Sequence, residues 1–147
     1  MSALPLAWGF ALGGVLVLQL ANNALLGRQL GSALLSALCS FGVGTLVLAT
    51  AVAVTRPPLP QAEALRAVSA WAWPAGGLLG ALYFSSTVLL APRLGTATLL
   101  ALVIAGQVLA AAAVDHFGLF GFEVRSFGLH RAAACLLMVG GAWLFTR

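Results

Sequence analysis

Residues 6–26 read LAWGFALGGVLVLQLANNALL, an uninterrupted stretch without a charge. At a rise of about 1.5 Å per residue, a helix of this length reaches across the roughly 30 Å hydrocarbon core of a bilayer. Four further blocks of the same kind follow, at residues 32–54, 72–90, 96–114 and 127–145. The five blocks are 19 to 23 residues long and leave 46 of the 147 residues for ends and loops. The expected fold is an all-α membrane protein: five transmembrane helices at about 6–26, 32–54, 72–90, 96–114 and 127–145, in a single transmembrane domain over residues 1–147. No extramembrane domain fits.

Composition agrees with this reading. Hydrophobic residues make up 62% of the chain and charged residues 7%, with a mean hydropathy of +1.08, whereas soluble domains carry about 25% charged residues. The net charge of +4 does not point to nucleic acid. The basic residues are single arginines at positions 28, 56, 66, 93, 125, 131 and 147, with no patch to track a phosphate backbone. Cys39 and Cys135 lie inside apolar runs without metal-ligand spacing, so they are expected to act as small hydrophobes, and no metal or cofactor is expected. The N-terminus lacks a basic n-region, and its apolar run is too long for a signal peptide, so it is read as a retained first helix.

The connections are built from helix-stopping residues. Gly27-Arg28 and the run Ala91-Pro92-Arg93-Leu94-Gly95 are expected as short turns between antiparallel neighbours. Residues 55–71 hold Pro57, Pro58 and Pro60 and then Glu63 and Arg66, which suits one interfacial turn at the headgroups. Residues 115–125 mix aromatics, glycines and charges and are expected along the membrane surface. Trp8, Trp71, Trp73 and Trp143 sit near segment ends, where amphipathic rings favour the interface. With five crossings the arginines divide four (56, 66, 125, 131) against three (28, 93, 147), a bias weak enough to permit insertion both ways round. Two oppositely inserted copies would make the inverted repeat that larger transporters build within one chain.

Polar residues within the apolar blocks are the candidate site. Gln19, Asn22 and Asn23 share one helix face, with Trp8 three turns away on the same side. Amides facing lipid are costly. They serve either as interhelical glue or as the wall of a substrate cavity. Gln107 lies three turns from Thr96, beside Gly106 and Ala110. Tyr83, Ser86 and Thr87 supply hydroxyls that either bond their own helix or join the site. Gly9 with Gly13, the stripe Ser32, Ser36, Ser40 and Gly44, and Gly76 with Gly80 are small residues at four-residue spacing, for packing within the bundle or for a dimer seam. Asp115 and His116, the one adjacent acid and imidazole, are candidates for a gate or for proton coupling, or else for a satisfied helix end. No elbow serine, phosphate loop or zinc helix motif occurs, so no enzymatic activity is expected.

The segments QLANNALL at 19–26, SFGVGT at 40–45, GQ at 106–107 and DHFG at 115–118, with Arg131 opening the last block, together resemble the YdcZ-type family of the drug/metabolite transporter superfamily. The resemblance covers nearly the whole chain. It implies a five-helix half of a ten-helix inverted-repeat transporter in the bacterial inner membrane, with single proteins pairing as antiparallel, dual-topology homodimers or with a paralogous five-helix partner. The related small multidrug resistance proteins have four helices and a membrane-embedded Glu in the first, whereas the first block here has no acid.

The expected function is transport of a small polar or amphiphilic metabolite by alternating access. Gln19, Asn22, Asn23, Gln107, Trp8, Tyr83 and Ser86 are the substrate-binding candidates. The expected partners are lipid, a second copy of the chain and a small-molecule substrate, with no nucleic acid. The alternatives are a dual-topology pore, or a non-transporting membrane subunit.

Overall fold

The computed structural model describes residues 3–147. These residues form α1 (Ala3–Gln29), α2 (Ala33–Thr55), a short α3 (Ala62–Ala67), α4 (Ala72–Leu94), α5 (Thr96–Phe117), a 3-10 turn (Leu119–Gly121) and α6 (Leu129–Leu144). No strand occurs among the described residues. Four of the helices are long and apolar enough to cross a membrane: α1 from Ala7, α2, α4 and α5. The fifth expected span, residues 127–145, contracts to the 16 residues of α6, about 24 Å long. It starts late because Gly128 is extended (φ −79, ψ 169). The chain divides into two compact units, Met1–Pro92 and Arg93–Arg147.

The four long helices α1, α2, α4 and α5 end where the backbone turns left-handed, not where the first glycine or proline occurs. Gly31 (φ +66) ends α1. The Gly31 N–H donates to the Arg28 carbonyl (3.3 Å) and the Ser32 N–H to that of Gly27 (3.0 Å), the paired bonds of a Schellman closure. The Ser32 side chain then accepts from the Leu35 N–H and caps α2, so one residue closes the first helix and opens the second. Gly27 and Arg28, expected to form the turn, are instead within α1. α2 stops at Arg56 (φ 44), whose N–H donates to the Val52 carbonyl, and Pro57 and Pro58 follow. α4 runs through Pro92 to Leu94, past its expected end at residue 90, and Gly95 (φ +79) alone separates it from α5. Pro92 has no N–H to give the Val88 carbonyl, so the last turn forgoes one bond, and the helix ends two residues later. The expected interfacial turn is α3, with Glu63 in its first turn and Arg66 in its last, the signs that suit a helix dipole.

In the first unit α1 and α2 form an antiparallel pair, with α4 against them. Its interior is small: Asn23, Ala24, Gly27, Ser36, Ala37 and Ala91 are buried, with Leu20, Thr87 and Val88. Small residues let helix backbones approach where lipid supplies no hydrophobic drive to pack. A Cβ on Gly27 would lie 3.1 Å from Val88 Cγ1 and 3.6 Å from Ser36 Cβ, so glycine is what this crossing accommodates. In the second unit α5 and α6 form another antiparallel hairpin around Leu99, Ala105, Cys135 and Ala142. Thr98 Oγ1 donates to the Phe145 carbonyl at one end (3.1 Å), and Arg131 Nη1 reaches Asp115 Oδ2 at the other (3.4 Å).

Large apolar side chains cover the outside. Phe10 is 89% exposed, Leu18 73%, Leu46 69% and Leu136 73%, a surface that water cannot solvate at acceptable cost. Thr45, Thr50 and Thr55 turn their hydroxyls back onto the carbonyls of Phe41, Leu46 and Ala51, each at 2.8 Å, hiding polar groups along an otherwise apolar helix. The protein is an integral membrane protein.

Candidate substrate groove in the first unit

Asn23 joins α1 to α2. It is 3% exposed, its backbone carbonyl accepts from Ser36 Oγ at 2.8 Å, and its Oδ1 accepts from Ser40 Oγ. Ser36 is fully buried. The stripe of small residues on α2 therefore packs within the unit at Ser36 and Ser40, Ser40 meeting the side-chain oxygen of Asn23 and Ser36 its backbone carbonyl. In an apolar surrounding such a bond contributes about 0.6–2 kcal/mol.

One helical turn before Asn23 on the same face lies Gln19. It lines a groove of about 260 Å³ together with Ser40, Phe41, Gly44, Thr45, Leu48 and Phe84. α1 supplies the amide, α2 the floor and α4 one aromatic wall. Phe41 and Phe84 meet edge to face, with ring centroids 5.4 Å apart and planes at 66°. Gly80, one turn from Phe84, receives the Phe41 ring: a Cβ there would lie 3.5 Å from Phe41 Cζ. Gly44 leaves open space, since a Cβ there would meet nothing within 4 Å.

The polar groups of the groove differ in their commitments. The Ser40 proton goes to Asn23 Oδ1 and the Thr45 proton to the Phe41 carbonyl. The amide of Gln19 makes no hydrogen bond among the described residues. An exposed, unbonded amide within an apolar span is costly unless something pairs with it. No ionisable side chain lines the groove.

The structure thus brings together Gln19, Ser40 and Gly44 from the expected site and packing residues. Asn23 backs the groove through Ser40 without lining it. Asn22, Trp8 (68% exposed) and Tyr83 (45% exposed) lie outside the lining, as does the half-buried Ser86. Gly9, Gly13 and Gly76 have open space where a side chain would stand. Phe41, Thr45, Leu48 and Phe84 line the groove without having been singled out as site residues. The SFGVGT segment contains two of them, but an apolar residue on a helix that is apolar all round carries no signal of which face it occupies.

Gln107 lies in the second unit, exposed on α5. At the far end of that helix Asp115 is held twice. Its carboxylate meets Arg131 at 3.4 Å, both side chains more than a third exposed, and its carbonyl accepts from the Arg125 N–H at 2.9 Å. The two residues flank a pocket of about 240 Å³ whose other walls include Val108, Ala111 and Cys135. The α5–α6 connection thus folds back as a clasp, with Gly118 (φ +59) turning the chain and Val124 packed against it. His116 is exposed, its ring edge to face with Phe117 at 4.9 Å.

Residues 4–144 match the family model described as "Putative inner membrane exporter, YdcZ". No curated protein matches the chain, and no solved structure does.

Proposed function

Because the chain belongs to the YdcZ family of inner membrane exporters, we propose that it exports a small polar or amphiphilic metabolite, with the groove at Gln19 as the substrate site. The observation that carries this reading is the amide of Gln19, unbonded among the described residues and set beside an aromatic pair in an apolar span. A ligand amide or hydroxyl there would satisfy a group that lipid cannot, and Phe41 and Phe84 would hold the apolar part of the same molecule.

In this reading the working unit is an antiparallel, dual-topology homodimer in the bacterial inner membrane, or the equivalent pair with a paralogous chain. Each copy crosses five times, α6 being the short last crossing, and the pair forms a ten-helix inverted repeat that alternates access. The near balance of arginines supports insertion both ways round, and the open faces at Gly9, Gly13 and Gly76 leave room for a second copy. Gln107 is a second amide proposed to meet the substrate during the cycle. Asp115 and His116 are proposed to act at a gate or in proton coupling, the Asp115–Arg131 contact being the one that would open. No chemical transformation of the substrate is part of this reading.

The test is metabolite profiling of the medium of cells expressing the wild-type chain or Gln19→Leu at equal membrane levels. A compound exported by the wild type and reduced about tenfold in the variant, the loss expected for one hydrogen bond, supports the reading. Identical profiles overturn it.

A further inference from the structure

We propose, resting on the reading of the groove as the substrate site, that it selects uncharged aromatic solutes bearing one amide-like group and rejects ions of either sign. The selection follows from what the groove lacks as much as from what it holds. The first unit contains a single carboxylate, Glu63, and it sits on α3, outside the groove. Its arginines are Arg28, Arg56 and Arg66, and none of them lines the groove. A charged ligand would enter an apolar slot with no counter-charge, and the desolvation cost of the ion would go unreturned.

The hydrogen-bonding inventory narrows the class further. Ser40 and Thr45 have already given their protons away within the protein, so Gln19 is the groove's free donor as well as an acceptor. A carboxylate can only accept and an ammonium group can only donate, so either would leave half of the Gln19 amide unpaired. A carboxamide or lactam both donates and accepts, and so completes it. The remainder of such a ligand meets ring edges and faces: Phe41 and Phe84 are already set at 66°, an arrangement to which a third ring adds favourably. The open space at Gly44 provides the room.

The experiment uses three probes that share one ring and differ in charge: phenylacetamide, phenylacetate and phenethylammonium. Their binding to the purified full chain in lipid nanodiscs is measured by saturation-transfer NMR, for the wild type, Gln19→Leu, Gln19→Glu and Phe84→Ala. The expected result is that phenylacetamide binds about tenfold more tightly than either ion. Gln19→Leu removes that advantage, Gln19→Glu moves the preference to phenethylammonium, and Phe84→Ala weakens all three. Equal or tighter binding of an ion, still dependent on Gln19 and Phe84, overturns the selectivity and leaves the groove as the site. Binding that neither Gln19→Leu nor Phe84→Ala alters overturns the groove itself. Failure of phenylacetamide to bind at its solubility limit overturns the selectivity.

Discussion

Ser40 donates its hydroxyl proton to Asn23 Oδ1 across the α1–α2 seam, and in doing so separates two amides that share one helix face. Asn23 becomes part of the packing. Gln19, one turn away, is left to the groove. Two residues of similar chemistry on the same helix therefore have opposite roles, and their substitutions should separate stability from transport.

Asn23→Ala should lower the thermal midpoint of the purified protein, because it takes the acceptor from the half-buried Ser40 hydroxyl while leaving the Ser36 bond to the backbone carbonyl in place, at a cost of about 1–3 kcal/mol. Gln19→Ala should leave the midpoint unchanged while reducing export about tenfold. A double-mutant cycle on Asn23 and Ser40 should give a coupling of about 0.6–2 kcal/mol, measured by unfolding in mild detergent. Equal destabilisation by the two amide substitutions would contradict the division of roles.

Gly27→Ala should destabilise the first unit by about 1–3 kcal/mol, the cost of overpacking, since the new methyl would press on Val88 Cγ1 at 3.1 Å. Val88→Ala in the same chain should restore most of the loss. Thermal scanning of the single and double variants checks this, and a double variant no better than Gly27→Ala would refute the close approach.

Gly118→Ala should be worse tolerated than Gly44→Ala. The first needs a left-handed backbone and would place a Cβ 2.7 Å from Val124 Cγ2, whereas the second meets nothing within 4 Å. A left-handed non-glycine residue alone costs about 1–2 kcal/mol. The yield and thermal midpoint of the two variants should differ accordingly.

Asp115→Asn should change the thermal midpoint little, because the pair with Arg131 is more than a third exposed on both sides and such pairs contribute about 1 kcal/mol or less. If the clasp is a gate, the same substitution should alter the rate of export without loss of folded protein. A large drop in stability with unchanged export would make the pair structural.

The antiparallel pair makes its own prediction. A cysteine added after Arg147, in a chain with Cys39→Ser and Cys135→Ala, should react with an impermeant label both in intact cells and in inverted vesicles. Labelling from one side alone would favour an oppositely oriented partner chain.

Much of this molecule was legible before any coordinates, and the rest was not for identifiable reasons. Four of the five apolar blocks correspond to helices long and apolar enough to cross a membrane, because helix length against bilayer thickness is a one-dimensional measure. Helix ends slipped at Gly27 and Pro92 because both residue types also occur inside helices. What stops the chain is a positive φ, and the bonds that secure it appear only with the backbone of Gly31 and Gly95. Gln19 was recognisable as a site candidate because an amide in an apolar run is conspicuous. Its separation from Asn23 required the α1–α2 register, and the roles of Phe41 and Phe84 required knowing which apolar faces meet.

The most direct test of the central claim is counterflow. Proteoliposomes holding the purified wild type or Gln19→Leu would be preloaded with the compound identified in the medium, and entry of its labelled form followed. The groove account predicts saturable counterflow in the wild type and a loss of about tenfold in Gln19→Leu at an unchanged thermal midpoint. Undiminished counterflow in the variant, or conductance without counterflow in the wild type, would contradict it.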